Sequence, residues 1–175
     1  VDYCQIMELL PDVDQLVRRA GYGWESDAIG QTRVSADSKY QTGYTLLSSE
    51  PVIVEDIEAE ARFEGSPLLA GRNVVSGMSV LIDGHDWPFG VLSAYTVRRR
   101  EFTGDDINFL QSVANVLAQA LERRRAEEAL RESEERYRHL VESLFETIAI
   151  YSEGRFLYVN TSGAKLYGVN TAEEL

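Results

Sequence analysis

The sequence predicts an α+β protein in which an antiparallel sheet is flanked by helices and followed by one long helix. Two apolar runs, residues 74–82 and 90–97, are the clearest strands, and turn residues lie between them. No proline follows Pro88, and apolar residues recur at three- and four-residue spacing from Ile107 to Leu121. The first observation indicates paired strands, and the other two indicate a long uninterrupted helix.

Shorter elements precede the two clear strands, and about five strands are expected in all. Serine residues can cap a short helix near Tyr40, and this helix must end by Glu50 because the residue before Pro51 is pushed out of the helical conformation. The expected elements before residue 74 are a strand at 1–10, a turn at 11–14, an antiparallel strand at 15–20, a helix at about 40–47, a strand at 51–55 and a helical or irregular segment at 57–69.

The long helix is expected at about residues 104–144. Thr103 reads as its N-cap, with the carboxylate of Asp106 three residues on, so that both side chains can satisfy backbone N–H groups of the first turn. Up to Leu121 the helix is apolar on two faces, which predicts packing on two sides. One stripe is expected to belong to the core of the preceding sheet; its members are Ile107, Leu110, Ala114, Leu117 and Leu121.

The second stripe continues as a seven-residue repeat after the first has ended. Twelve of the 17 residues from Glu122 to Arg138 are charged, yet the repeat persists there and only Arg123 interrupts it. We therefore predict a homodimer through this helix; the alternative is one amphipathic helix lying on its own chain. The predicted dimer seam consists of Phe109, Val116, Leu130, Tyr137, Leu140 and Leu144.

Composition limits the classes of function. The 175-residue chain has a formal net charge of −12, which argues against nucleic-acid binding and against binding to anionic membranes. No apolar run reaches the length of a membrane span. One cysteine and two separated histidines exclude a disulfide framework and argue against a metal site. A reducing, cytoplasmic setting without a bound cofactor is expected.

The order of several sequence pieces resembles a family. The pieces ELLPD, RAGYGW, GYTLLSSEPVIVED, SGMSVLI, GVLSAY and REFTGDDINFLQSVANVLAQALER follow one another as in a GAF domain, the small-ligand sensor module of signalling proteins. The resemblance covers the chain to about Arg125 and implies a GAF sensor domain at residues 1–121. The first helix of the family would lie upstream of Val1.

The C-terminal part resembles the opening of a PAS domain. The segment from Ser133, SEERYRHLVESLFETIAIYSEGRFLYVNTSGAKLYGVNTAEEL, would supply a first helix, a hairpin and a short helix capped by Asn160. Only 43 residues remain from Ser133 to the end, against about 100 for a typical domain. The resemblance thus implies a coiled-coil signalling helix with the first PAS helix at 122–144, and the start of an incomplete PAS domain at 145–175.

Cyclic-nucleotide binding, known in some GAF domains, is not expected. Phe102 and Asp106 match part of the family's nucleotide pattern, but Ile107 replaces its glutamate. The last strand ends in Tyr-Thr-Val at residues 95–97, where the pattern has Asn-Lys.

Other GAF chemistries fail on their key residues. Cys4, in the first strand, is wrongly placed to attach a bilin, and a GAF-type sulfoxide reductase would need several cysteines. His85 lies in a predicted turn and His139 in the long helix, so neither suits a haem. The sequence around His139 also lacks the acidic residue and the proline of a kinase phosphorylation box. We therefore expect regulatory domains and no catalytic residues.

A pocket between the sheet and the middle helices is implied by the resemblance. Aromatic walls with a few polar groups suit a small ligand, although the same residues would equally form a filled core. The implied lining is Trp24, Tyr44, Leu47, Asp56, Phe63, Leu69, Ser76, Met78 and Val80.

The function predicted from the sequence is that of a sensory fragment of a signal-transduction protein. A ligand or partner at the GAF domain would bias the packing of the dimeric helix, which passes the signal on. The predicted output is a histidine kinase, with a diguanylate cyclase or a transcription activator as alternatives. A further alternative is a dimerisation module without any ligand.

Overall fold

The first part of the chain forms a six-stranded antiparallel sheet. The computed structural model describes residues 1–25 and 29–169, and it divides into two units, Val1–Glu122 and Arg123–Leu175. In the first unit the strands lie in the order β3-β2-β1-β6-β5-β4. Their bounds are β1 Tyr3–Leu10, β2 Gln15–Tyr22, β3 Arg33–Ser35, β4 Val52–Val54, β5 Ser76–Ile82 and β6 Gly90–Thr96.

The predicted strands are confirmed, and one more is present. β1 and β2 form the expected hairpin, with Leu10 opposite Gln15 across a single 3-10 turn at Pro11–Val13. β3 was not predicted, because its three residues hold one apolar side chain and show no apolar run, unlike the three of β4. The segment expected to be helical or irregular contains the 3-10 helix Pro67–Leu69.

Helix α1, Gln41–Ser48, covers one face of the sheet over β4, β5 and β6. Its start is fixed by a close backbone approach at Gly43, where an added Cβ would lie 1.7 Å from the carbonyl oxygen of Asp37. Any larger residue at this position would force α1 away from the loop before it. The helix ends at Ser49, which has a positive φ of 58°, before Pro51 as expected.

Helix α2, Gly104–Ser143, begins at the predicted cap. The backbone N–H of Thr103 donates to Asp106 Oδ2 at 2.9 Å, and the N–H of Asp106 donates back to Thr103 Oγ1 at 3.2 Å. This reciprocal pair is a capping box. These hydrogen bonds to the charged carboxylate lower the pKa of Asp106.

The first apolar stripe of α2 packs on the sheet face opposite α1. Leu110 is 7% exposed and Ala114 is fully buried, and both contact the core side chains of β5 and β6. The prediction that this stripe belongs to the preceding core is therefore confirmed. The buried members of this core cluster are Met78, Val80, Ile82, Phe89, Leu92, Ala94, Phe102, Leu110 and Ala114.

In the second unit a short hairpin follows the end of α2. It consists of β7, Ala149–Ser152, and β8, Arg155–Val159, and it leads into α3, Thr161–Tyr167. Asn160 is fully buried and caps α3 as predicted, because its side-chain oxygen accepts from the N–H of Gly163 at 3.0 Å. Residues 170–175 of the predicted PAS segment lie outside the described residues.

Candidate functional site

Buried polar side chains cross the sheet on the face covered by α1. Gln5 of β1 pairs with Ser93 of β6, and Ser93 pairs with Ser79 of β5. All three are at most 1% exposed. Side chains alternate along a strand, so Leu92 and Ala94 on either side of Ser93 face α2 instead. We call Gln5, Ser93 and Ser79, together with Arg18 of β2 and Gln41 and Thr45 of α1, the polar row.

Helix α1 completes the polar row through Ser79. The Gln41 side-chain N–H donates to Ser79 Oγ at 3.0 Å, and the hydroxyls of Thr45 and Ser79 lie 2.6 Å apart. The Thr45 hydroxyl also contacts the carbonyl of Gln41 at 2.8 Å, within the helix. These contacts hold α1 at a fixed height over β5, with polar groups between the two elements.

At the other end of the row, Arg18 is stacked on an aromatic ring. Its guanidinium carbon lies 3.9 Å from the centroid of the Trp24 ring, and its Nε donates to Gln5 Oε1 at 3.0 Å. The indole N–H of Trp24 donates to the carbonyl of Cys4 at 2.6 Å, which fixes the ring. Arg72 lies over the same ring at 5.1 Å. Cation–π contact therefore orients Arg18 along the sheet.

Two glycines leave space for the aromatic rings beside Arg18, because a side chain at either position would clash with a ring. A Cβ at Gly21 would lie 2.5 Å from the ring of Trp24, and a Cβ at Gly77 would lie 2.5 Å from the ring of Tyr95. The two rings meet edge to face, with centroids 6.5 Å apart. Larger residues at either glycine would displace a ring and open the end of the polar row.

Several polar atoms at the row have no partner. Among residues 1–25 and 29–169, four buried side-chain atoms lack a hydrogen bond: Arg18 Nη2, Gln41 Oε1, Thr42 Oγ1 and Ser93 Oγ. All four belong to α1 or to the strands of the polar row. Leaving such a group unpaired costs about 1–3 kcal/mol. Among the described residues, these unpaired atoms are confined to α1, β2 and β6.

Burial also affects the ionisation of Arg18. Desolvation, and then the charge of the nearby Arg72, lower the pKa of the Arg18 guanidinium below its ordinary value. A negative partner would act in the opposite direction.

Only some of the predicted pocket residues meet at this site. Trp24 lies at the polar row, as described above. Tyr44 and Phe63 contact each other, with ring centroids 5.4 Å apart, and the Arg62 guanidinium lies 5.8 Å from the Tyr44 ring. Leu69 is half-buried at the end of its 3-10 helix.

The structure corrects the predicted lining in β5. Met78 and Val80 pack with Leu110 and Ala114 against α2, on the opposite face of the sheet. Ser76 shares their strand phase, and its hydroxyl donates to the carbonyl of Glu55 at 2.6 Å. β5 is buried on both faces, so a shift of one residue in the assumed phase exchanges its two sets of side chains.

Two further predicted residues do not line the site. Leu47 is 66% exposed on the outer side of α1. Asp56 accepts a hydrogen bond from the N–H of Glu58 at 3.1 Å and so shapes a local turn. Both were implied by the order of the sequence pieces, which does not fix the direction of a side chain.

The sequence prediction missed all six residues of the polar row: Gln5, Arg18, Gln41, Thr45, Ser79 and Ser93. A signal for two of them was present, since Ser79 and Ser93 are hydroxyl residues in the middle of largely apolar strands. Arg18 gave no such signal, because an arginine in the hairpin 15–20 is expected to be exposed.

An ion pair ties the segment after β4 to the sheet near α1. Glu60 accepts from Arg62 Nη2 at 2.6 Å, and the same nitrogen donates to the carbonyl of Ile53 at 2.6 Å. The hydrogen bonds from Arg62 lower the pKa of Glu60 to about 2. This pair therefore fastens the segment while the carboxylate is charged.

We expect Glu60 to stabilise the fold above pH 4.5 and to lose this effect as the pH falls towards 2. The sign follows from the pKa of Glu60, which is lower in the folded protein than its value of 4.5 in the unfolded chain. A carboxyl with a lowered pKa stabilises the folded state while it is charged. The contribution is about 1–2 kcal/mol after allowance for solvent screening. Urea unfolding of wild type and Glu60→Gln between pH 7 and 2 measures it: the difference in the free energy of unfolding should shrink with acid. A constant difference would contradict the assignment.

None of the helices among the described residues is both long and apolar enough to cross a membrane.

Solved structures share this fold. The GAF domain of a phosphoenolpyruvate-protein phosphotransferase from Coxiella burnetii is 21% identical, with a TM-score of 0.65 over 73% of this chain and 76% of that chain. A domain from a Sinorhizobium meliloti 1021 protein described as a two-component sensor histidine kinase is 19% identical, with a TM-score of 0.58 over 74% and 85%. The free methionine-R-sulfoxide reductase of Thermoplasma acidophilum is 17% identical, with a TM-score of 0.55 over 67% and 77%. At these identities the likeness concerns the fold alone.

The sequence itself identifies the family. No curated protein matches the chain. The family model described as GAF domain matches residues 3–122, which contain the whole six-stranded sheet, α1 and the first half of α2. The chain therefore belongs to the GAF domain family, and residues 3–122 are its GAF domain.

Proposed function

We propose that this GAF domain is a cytoplasmic sensor of a signal-transduction protein and that it binds a small ligand at the polar row. The observation that carries the proposal is the set of three unpartnered buried polar atoms at the row, Arg18 Nη2, Gln41 Oε1 and Ser93 Oγ. A ligand with matching hydrogen-bonding groups would satisfy them, whereas a core kept only for stability gains nothing from them.

Strand β6 links the polar row to α2. Its residue Ser93 faces the row, while Leu92 and Ala94 on either side pack in the core beneath α2. A ligand that shifts or stiffens β6 would therefore change the surface on which Leu110 and Ala114 rest. We propose that ligand binding in this way favours one packing of α2 over another.

The signal would leave the domain through a dimeric α2. All six residues of the predicted seam are exposed in the single chain, with exposed fractions of 43% for Leu144 and 57–69% for the others. Apolar residues repeated at heptad spacing on an otherwise charged helix suit a parallel dimer. We propose that the seam is buried against a second copy of this chain.

We further propose a histidine kinase as the output of the full protein, with residues 145–175 as the start of a PAS domain. The likeness of the fold to a domain from a protein described as a sensor histidine kinase supports this output. A diguanylate cyclase or a transcription activator would use the same sensor arrangement.

A dimerisation module without a ligand is a second candidate. The exposed apolar seam on α2 favours it, because the seam alone would suffice to join two copies. In that case the polar row would have no occupant in the cell.

Thermal unfolding with a library of metabolites separates the two candidates. For a sensor we expect at least one compound to raise the thermal midpoint by several degrees, because a ligand that binds only the folded state stabilises it. Ser93→Leu should abolish this shift by filling the row without adding charge. Ser112→Leu, at an exposed position of α2, should retain it.

Circular dichroism of Ser93→Leu would establish that the variant is folded. If no compound shifts the wild-type midpoint, and mass spectrometry recovers no small molecule from the purified protein, the ligand-free module is correct. A shift that survives Ser93→Leu would place the ligand elsewhere.

A further inference from the structure

We propose that the ligand of this GAF domain is a small molecule with a carboxylate group and that Arg18 is the residue that binds it. The inference rests on the proposed function, since it names the chemical class of ligand for the same site.

Arg18 carries a positive charge in the interior of the protein. The residue is 2% exposed, and its Nη2 atom has no hydrogen-bond partner. Among the described residues, no carboxylate forms an ion pair with it. Its contacts are the neutral side chain of Gln5 and the face of Trp24.

An unpaired buried charge is costly, and proteins normally pair it. The stacked Trp24 ring recovers part of the cost through cation–π attraction. The nearby Arg72 does not help, because it has the same sign of charge; it is itself 3.5 Å from the carboxylate of Glu25. A bound anion at Arg18 Nη2 would supply the missing partner.

The charge of the site favours a carboxylate over a phosphate. One guanidinium balances one negative charge, and a carboxylate accepts hydrogen bonds from its planar N–H groups in a matching geometry. A phosphate monoester carries about −1.5 to −2 charges at pH 7. Because Arg72 is already paired with Glu25, a phosphate here would leave about 0.5 to 1 negative charge uncompensated.

The rest of the row can hold the remainder of the ligand. Gln5 and Ser79 lie two strand spacings apart, about 10 Å. Ser93 lies between them, and its hydroxyl has no hydrogen-bond partner. The Gln41 Oε1 atom, on the α1 side of Ser79, has none either. A carboxylic acid with a second polar group would satisfy both ends of the row.

Binding of named carboxylates to the full chain tests the proposal. The probes are sodium acetate, lactate, succinate and glutamate, with acetamide as a neutral analogue and inorganic phosphate as a second anion, all at equal ionic strength. We expect at least one carboxylate to raise the thermal midpoint, and neither acetamide nor phosphate to do so. Arg18→Gln should weaken that binding by about 10- to 100-fold, the range for a hydrogen-bonded charged group.

Arg19→Gln is the matched control for Arg18→Gln. Arg19 is the next residue, its side chain is 54% exposed, and it pairs with Glu8, outside the polar row. Its replacement removes the same charge and should leave carboxylate binding unchanged. Equal weakening by both variants would show a general charge effect and overturn the proposal.

Ser93→Ala decides the matter even if Arg18→Gln does not fold. Removing a buried hydroxyl without a partner should leave the ligand-free protein as stable as wild type or more so. The same change should weaken carboxylate binding by about 2- to 10-fold, the value of a neutral hydrogen bond. Wild-type affinity in Ser93→Ala, with Arg18→Gln either unfolded or unaffected, would overturn the proposal.

The assignment of a carboxylate to Arg18 and the proposed sensor function are contradicted by different results. If the metabolite library yields a ligand but every carboxylate is inactive, or if phosphate binds in their place, the assignment of Arg18 is wrong and the sensor function stands. If no compound of any class shifts the midpoint, both fail.

Discussion

Replacement of Leu130 by glutamate is expected to convert the proposed dimer into monomers. Leu130 is 61% exposed in the single chain and lies on α2 between Glu127 and Glu134. In a parallel dimer it would pack against its own copy, which stabilises by about 1.5–3 kcal/mol for each side chain. Loss of two such side chains, with two charges brought together, should raise the dissociation constant at least ~100-fold. Sedimentation velocity over a range of protein concentrations measures it.

Ala129→Glu is the matched control for Leu130→Glu. Ala129 is exposed on the same turn and flanks the seam without being a member of it, so its replacement adds the same charge without removing a seam side chain. The opposite change, Arg123→Leu, should tighten the dimer, because Arg123 interrupts the heptad repeat. A dimer that survives Leu130→Glu unchanged would mean that the second stripe of α2 does not form the interface.

Replacement of Leu110 by alanine is expected to lower the free energy of unfolding by about 2–5 kcal/mol, the range for large-to-small changes in a packed core. Leu110 is 7% exposed and packs in the cluster that joins α2 to β5 and β6. The cavity cannot collapse easily, since the sheet beneath it is paired on both sides. Urea unfolding at one protein concentration gives the value.

Asn108→Ala is the comparison for Leu110→Ala. Asn108 is exposed on the same helix, and its replacement should change the free energy of unfolding by no more than about 0.5 kcal/mol. Comparable losses in both variants would show that α2 is held by something other than its first stripe.

The long helix and the hairpin were predictable because local chemistry determines them. Thr103 and Asp106 form the capping box whatever the rest of the fold does, and Pro11 and Asp14 suit the turn between β1 and β2. The two-sided apolar pattern of α2 likewise fixed which face enters the core. These features depend on residues a few positions apart.

The face of the sheet that carries the polar row was less predictable, because it depends on the phase of a strand buried on both sides. In β5 the set containing Met78 and the set containing Ser79 are both inaccessible to solvent, so alternation alone does not tell which faces α2. Packing determines the phase of β5. The apolar stripe of α2 packs on the set that contains Met78, so Ser79 faces the other side of the sheet. The placement of Arg18 depends on its contact with the Trp24 ring. This contact joins a strand to a loop, and no local sequence pattern encodes it.

The polar row lies on the inner strands of the sheet, and this position determines which amide hydrogens would exchange more slowly if the row were occupied. β2, β1, β6 and β5 each have a strand on both sides, so their amide hydrogens are already shielded from exchange with solvent. The elements that cover the row have fewer such bonds: α1 has eight residues, and the segment after β4 is fastened by the pair between Glu60 and Arg62. An occupied row would thus slow amide exchange mainly in this covering layer and leave the sheet unchanged.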